Sequence, residues 1–186
     1  MFSKYQVMKK ILKTIMIASF IAIAGYVIYS VALPYCLVNP VVGADDTSYN
    51  HETFWYPWGD HPHRGIDIFA EEGTKIEVNF PHGIVIATNM FKKGGNSALI
   101  LAFDGRVHYY AHMQNVYVHV GQIVNTTTLI GTVGKTGNAN RPDCPPHLHY
   151  SIVSLTGQGD KGIWYVNPIA EFNTANEFNN RHCRNI

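Results

Sequence analysis

The chain has 186 residues, 46% of them hydrophobic and 15% charged, with a formal net charge of +1. That length suits one domain of ordinary size rather than two, and the apolar content excludes a disordered chain. Lys4, Lys9, Lys10 and Lys13 stand in the first thirteen residues without an acid, so the other ten basic side chains meet thirteen acidic ones. A slightly acidic body excludes a nucleic-acid-binding domain, which needs a basic patch.

From Thr14 to Leu33 no residue is charged, and Ile15, Met16, Ile17, Phe20, Ile21, Val27 and Ile28 recur throughout. Twenty helical residues rise about 30 Å, the thickness of a bilayer core. The pattern predicts a single transmembrane signal anchor over 14–33. The positive-inside rule then places residues 1–13 in the cytoplasm and the rest on the extracytoplasmic side of the cytoplasmic (inner) membrane. Ala22-Ile23-Ala24 offers a signal-peptidase site instead, which would release a secreted domain. Of three cysteines, Cys144 and Cys183 are available for a disulfide after export. Cys36 is left over, and Leu33-Pro34-Tyr35 before it lacks the small residue of lipoprotein processing.

Residues 34–53, with Pro34, Pro40, Gly43 and Asp45-Asp46, are expected to form a linker. The aromatic cluster Phe54-Trp55-Tyr56-Pro57-Trp58 then opens a domain over 54–172, either as a lid on the core edge or as one wall of a groove. From Thr74 onward short apolar runs alternate with glycine-bearing turns. Strands are predicted at Lys75–Val78, Ile84–Ala87, Ala98–Phe103, Arg106–Ala111, Val116–Val120, Gln122–Val124 and Leu129–Gly134, with Asp104-Gly105 as the strongest hairpin signal. Eleven Tyr and nine Phe support the same reading. The fold class is mainly β, an antiparallel sheet or sandwich, with a helical turn or two at Pro168–Phe172 and a tail over 173–186.

Two histidine-bearing segments carry the chemistry. In Cys144-Pro145-Pro146-His147-Leu148-His149-Tyr150 the two imidazoles, two residues apart on a strand, point to one side. In His63-Arg64-Gly65-Ile66-Asp67 a straight strand would hold His63 and Asp67 about 13 Å apart, so a bend at Arg64-Gly65 running into a strand is predicted. A hydrolytic zinc site takes three His, Asp or Glu ligands and leaves a fourth position to water. His63, Asp67 and one of His147 and His149 meet that count for one Zn2+ per chain. The other histidine of the pair, with His112, can supply a base or a donor for a developing oxyanion. No His-Glu-x-x-His occurs, which excludes the helical metalloprotease arrangement.

These residues resemble the lysostaphin-type, or LytM-domain, zinc endopeptidases, which cut peptide cross-links of bacterial peptidoglycan. The likeness runs from about residue 55 to about 170 through ordered blocks. They are His63-Arg64-Gly65-Ile66-Asp67, Glu72-Gly73-Thr74, His82-Gly83, Gly94-Gly95-Asn96, Tyr110-Ala111-His112-Met113, Val120-Gly121-Gln122, Ile130-Gly131 through Gly137-Asn138, and Pro146-His147-Leu148-His149-Tyr150. The resemblance implies a LytM-like fold with a duplicated hybrid motif and an active-site groove. It implies His63, Asp67 and His149 as zinc ligands, His112 and His147 as the catalytic pair, and peptidoglycan stem or cross-bridge peptides as partners. Some relatives have lost ligands and regulate other hydrolases; here all five positions are filled. Thr126-Thr127-Thr128 and Arg141-Pro142-Asp143-Cys144-Pro145 depart from the family pattern, the latter beside the expected groove. Cys144 as a fourth ligand would close the site and make the metal structural. His51, His61, His82, His108, His119 and His182 are expected at the surface or in turns, although His61 is close enough to reach the groove rim and the spacing of His108 from His112 places both on one strand face.

Overall fold

The computed structural model describes residues 4–32, 37–58, 61–157, 159–160 and 164–172. The chain divides into two units, Met1–Pro34 and Tyr35–Ile186. The first contains helix α1 (Lys4–Ala32), a run free of Pro in which every described side chain from Lys4 to Ala22 is exposed. Among the described residues no helix is long and apolar enough to cross a membrane. The span expected at 14–33 includes the side chains of 23 and 26–32 and all of residue 33, which lie outside the described residues.

The second unit is built from short antiparallel strands. A two-stranded ribbon joins β1 (Pro57–Trp58) to β2 (His61–Pro62). A three-stranded sheet runs in the order β4 (Lys75–Glu77), β10 (Leu129–Thr132), β8 (Asn115–Val116). The main sheet contains β3 (Ile66–Phe69), β5 (His82–Thr88), β6 (Asn96–Ala102), β7 (Arg106–Met113), β9 (Ile123–Asn125), β11 (His147–Ser154) and β12 (Tyr165–Val166). Its order is β12-β11-β7-β6-β5-β9, and β3 pairs with β11 at His147–Tyr150 while β12 pairs with it at Ile152–Val153. Alternation sets the faces: Ile66, Ile68, Tyr110, Leu148, Tyr150 and Ile152 enter one core with Ile76 and Ile130 of the smaller sheet. The expected hairpin forms at Asp104-Gly105, where the Asp104 carboxylate accepts the Arg106 backbone N–H at 3.0 Å.

Three segments differ from expectation. The strand predicted over Val116–Val120 ends at Val116, because Val118 turns inward into the core and His119 N–H donates to Gln122 Oε1. The segment expected as a linker packs on the domain from residue 37: Leu37, Val41 and Tyr49 are core residues, and Val41 and Tyr49 bridge to Ile76 and Ile68. Burial of those three apolar side chains favours docking of the segment on the domain. His108 is fully buried rather than exposed. At the C-terminal end of the described chain 168–172 is helical, and the Phe172 ring stacks on Tyr150.

A buried polar network lies behind the strands that carry the site. Tyr150 Oη shares a hydrogen bond of 2.6 Å with His108 Nδ1 and accepts from Asn79 Nδ2 at 2.9 Å. Tyr110 Oη donates to Asn79 Oδ1 at 2.7 Å, and Asn79 Nδ2 also donates to the Val38 carbonyl. Burial lowers the His108 pKa well below its ordinary value and raises that of Tyr150, so both stay neutral. Tyr150→Phe should cost about 1–3 kcal/mol, the desolvation penalty of partners left unpaired. Urea unfolding of the two proteins measures it, and equal midpoints would show that the network contributes nothing.

Candidate functional site

The site begins with register. β3 and β11 pair antiparallel with His149 directly opposite Asp67, so their side chains share the face opposite Ile66, Leu148 and Tyr150. His63 reaches the same place through the predicted bend. Ser151 Oγ donates to the Arg64 carbonyl, and His63 exchanges backbone bonds with Tyr56 and Trp55. Gly65 is required here because a Cβ would lie 2.5 Å from the Tyr150 carbonyl and 3.0 Å from the His149 ring.

Three donor atoms meet. His63 Nε2 lies 3.2 Å from Asp67 Oδ1, His149 Nδ1 lies 3.0 Å from the same oxygen, and the two nitrogens are 3.0 Å apart. His63 Nδ1 donates to the Thr53 carbonyl at 3.0 Å, so its Nε2 presents a lone pair to an anionic oxygen. Only a cation, proton or metal, relieves that contact. Burial opposes the charged form of both residues, yet hydrogen bonding and charge hold Asp67 well below the usual carboxylate range and raise His63. The edges of the triangle are within a few tenths of an ångström of those of a tetrahedral zinc site with bonds of about 2.0–2.2 Å, roughly 3.3–3.6 Å. His63, Asp67 and His149 therefore fit one metal ion, and they form the cluster that could hold one among the described residues.

His147 and His112 flank this cluster. His147 Nδ1 donates to the Pro145 carbonyl at 2.9 Å, and its Nε2 lies 3.8 Å from Asp67 Oδ1. His112 arrives by an irregularity in β7. Against β6, Ala98 pairs with Tyr110 but Asn96 pairs with Met113, so β7 spends three steps where β6 spends two. His112 takes φ 62 at this bulge. Tyr109 and Ala111 face the groove and His108 and Tyr110 the core; the bulge turns His112 to the groove and Met113 to the core. His108 and His112 therefore lie on opposite faces, contrary to their spacing. His112 Nδ1 donates to the Thr136 carbonyl at 2.9 Å, and its ring meets those of His147 and His149 at 5.0 and 5.9 Å between centroids.

Hydrophobic walls surround the five residues. Trp58 stacks on His63 with centroids 4.7 Å apart, and Phe69 packs on His147. The aromatic segment thus divides: Trp58 lines the groove while Phe54 packs against the core. His61 lies on the groove rim, as its position suggested, and His51 and His119 are exposed. Cys144 also lines the groove, but it stands outside the metal cluster with Sγ 3.7 Å from His147 Nδ1. Among the described residues it forms no disulfide; Cys36, Cys183 and His182 lie outside them. Sequence reasoning missed Thr53 and Thr136, whose backbone carbonyls accept from His63 and His112.

An open His/Asp/His donor set on antiparallel strands, with the His112 and His147 imidazoles beside it, defines a site that could hold a metal ion. The ancestry of the chain agrees: residues 61–163, which include all five site residues, match Peptidase family M23, and the chain belongs to that family. An L-Ala–D-Glu endopeptidase of Bacillus subtilis (strain 168) is 29% identical over 131 residues, covering 66% of this chain and 39% of the relative. The peptidoglycan DD-endopeptidase ShyA of Vibrio cholerae is 30% identical over 92 residues, covering 50% and 20%. The chain thus spans well under half the length of these curated relatives. The catalytic domain of the antimicrobial peptidase lysostaphin from Staphylococcus simulans superposes with a TM-score of 0.53 at 25% identity, covering 63% of this chain and 86% of that one.

Burial, with His149 and His147 adding to it, lowers the His112 pKa to about 4. A lowered folded-state pKa makes the contribution to stability full above the ordinary value of 6.5 and lost as pH falls towards 4. Between pH 6.5 and 4.5 the metal-free parent should lose about 2 kcal/mol more than His112→Gln. Urea unfolding in chelator across that range checks this, and parallel curves would contradict it.

Proposed function

We propose that the protein is a zinc-dependent endopeptidase that hydrolyses peptide bonds in peptidoglycan stems or cross-bridges. One observation carries this reading above the others: three donor atoms 3.0–3.2 Å apart, with two more imidazoles turned towards them. His63, Asp67 and His149 hold the metal. When bound, zinc lowers the pKa of water towards 7 and polarises a carbonyl.

The remaining steps belong to the side chains. His112 and His147 both give their Nδ1 protons to backbone carbonyls, which leaves each Nε2 as a proton acceptor facing the groove. The lowered pKa of His112 keeps it neutral near pH 7, the state a base requires. Whichever imidazole accepts the proton of the attacking water becomes an imidazolium, which can hydrogen-bond the developing oxyanion and then protonate the departing amine. The apolar walls at Trp58, Phe69 and Phe91 limit water around the extended peptide. The uncharged run 14–33 behind four lysines supports attachment to the cytoplasmic membrane by the N-terminus, with this domain on the extracytoplasmic side.

The purified protein should bind about one zinc per chain. His63→Ala and Asp67→Ala should abolish binding, whereas His112→Ala and His147→Ala should keep the metal and lose on the order of 10²-fold or more in rate. Metal analysis is paired with mass spectrometry of peptidoglycan fragments after digestion. Zinc retained by both ligand variants would refute the ligand set. No new amino terminus from the zinc-loaded parent would refute hydrolysis and favour a non-catalytic module that regulates another hydrolase.

A further inference from the structure

At the bulge that delivers His112, one side chain bonds a backbone group of each strand. Thr136 Oγ1 accepts the Asn96 N–H of β6 at 2.9 Å and donates to the Met113 carbonyl of β7 at 2.9 Å. Asn96 and Met113 are the pair at which the register skips, so the hydroxyl bridges the strands at the discontinuity. The backbone of the same residue grips His112: its carbonyl accepts the Nδ1 proton at 2.9 Å, and its N–H approaches the His112 carbonyl at 3.4 Å.

Around this contact two loops close without side chains between them. A Cβ on Gly95 would lie 2.4 Å from both Gly137 N and Thr136 Oγ1, and one on Gly137 would lie 2.2 Å from the Lys93 carbonyl. Both glycines have positive φ, at 62° and 69°. His112 is not a glycine yet holds φ 62, a conformation that persists only where surrounding bonds over-determine it.

We propose that Thr136 is a positioning residue for His112: its hydroxyl fixes the bulge, and its carbonyl thereby holds the imidazole in the Nδ1–H tautomer with Nε2 turned to the groove. The inference rests on the reading of His112 as a proton acceptor for its catalytic consequence only. Without the hydroxyl, Asn96 N–H and the Met113 carbonyl lose their shared partner and the Thr136 segment shifts. His112 can then adopt the Nε2–H tautomer, which cannot accept a proton at the atom that faces the site.

The test compares Thr136→Val, which keeps the shape without the hydroxyl, with Thr136→Ser, which keeps the hydroxyl, in the full-length zinc-loaded chain in detergent micelles. Thr136→Ala stands in if the valine variant does not fold. Nitrogen-15 spectra of the histidine rings should show His112 as the Nδ1–H tautomer in the parent and in Thr136→Ser, and as a mixture or the Nε2–H form in Thr136→Val. With peptidoglycan fragments as substrate, kcat should fall about 10²-fold in Thr136→Val at unchanged KM and zinc content, and stay within about threefold in Thr136→Ser. An unchanged tautomer and kcat in Thr136→Val overturns the proposal. So does a serine variant as impaired as the valine one. If the parent does not hydrolyse peptidoglycan fragments, the functional reading fails, while the tautomer comparison still decides the positioning role.

Discussion

The pairing of β3 with β11 is the constraint on which the site depends. With His149 opposite Asp67, Ile66 and Ile68 join Leu148 and Tyr150 in the core while the two polar side chains share the other face. A slip of one residue would reverse every one of these side chains, burying the donors and exposing the core. The apolar pattern that stabilises the sheet therefore also fixes the ligands. His63 depends on the same pairing, since the bend that returns it is pinned by Ser151 of β11 and by the absence of a side chain at Gly65.

Behind that pairing the protein is polar where a simpler sheet would be apolar. Tyr150 and Tyr110, each next to a groove-facing residue, meet through Asn79, and His108 completes the network. Fully bonded groups of this kind specify one arrangement of strands more sharply than interchangeable aliphatic packing. On the groove side the imidazoles follow a common rule. His63, His112 and His147 each donate Nδ1–H to a backbone carbonyl. The backbone thus sets three tautomers, and the Nε2 atoms of His63 and His147 lie 3.2 and 3.8 Å from one Asp67 oxygen.

Much of this was legible in the sequence because it rests on local rules. The Arg64-Gly65 bend followed from the distance a straight strand would impose, the hairpin from Asp104-Gly105, and the shared face of His147 and His149 from alternation. Where alternation failed, it failed at a bulge. His108 and His112 are four apart, yet an extra residue in β7 sends one to the core and the other to the groove. Nothing in Tyr109-Tyr110-Ala111 announces that extra residue. The segment from 37 to 50 misled for a different reason: Pro40, Gly43 and Asp45-Asp46 suggest a linker, while three widely spaced side chains, Leu37, Val41 and Tyr49, anchor it to the core. Carbonyl acceptors such as Thr53 and Thr136 have no residue-type signature at all, because any residue offers that oxygen.

The central claim is that His63, Asp67 and His149 form an open metal site from which Cys144 is absent. Zinc K-edge X-ray absorption of the loaded protein tests it directly. The geometry predicts nitrogen and oxygen neighbours only, at about 2.0–2.2 Å, with the outer-shell signature of two imidazoles. A sulfur neighbour at about 2.3 Å would place Cys144 on the metal, make the site closed and structural, and contradict the account.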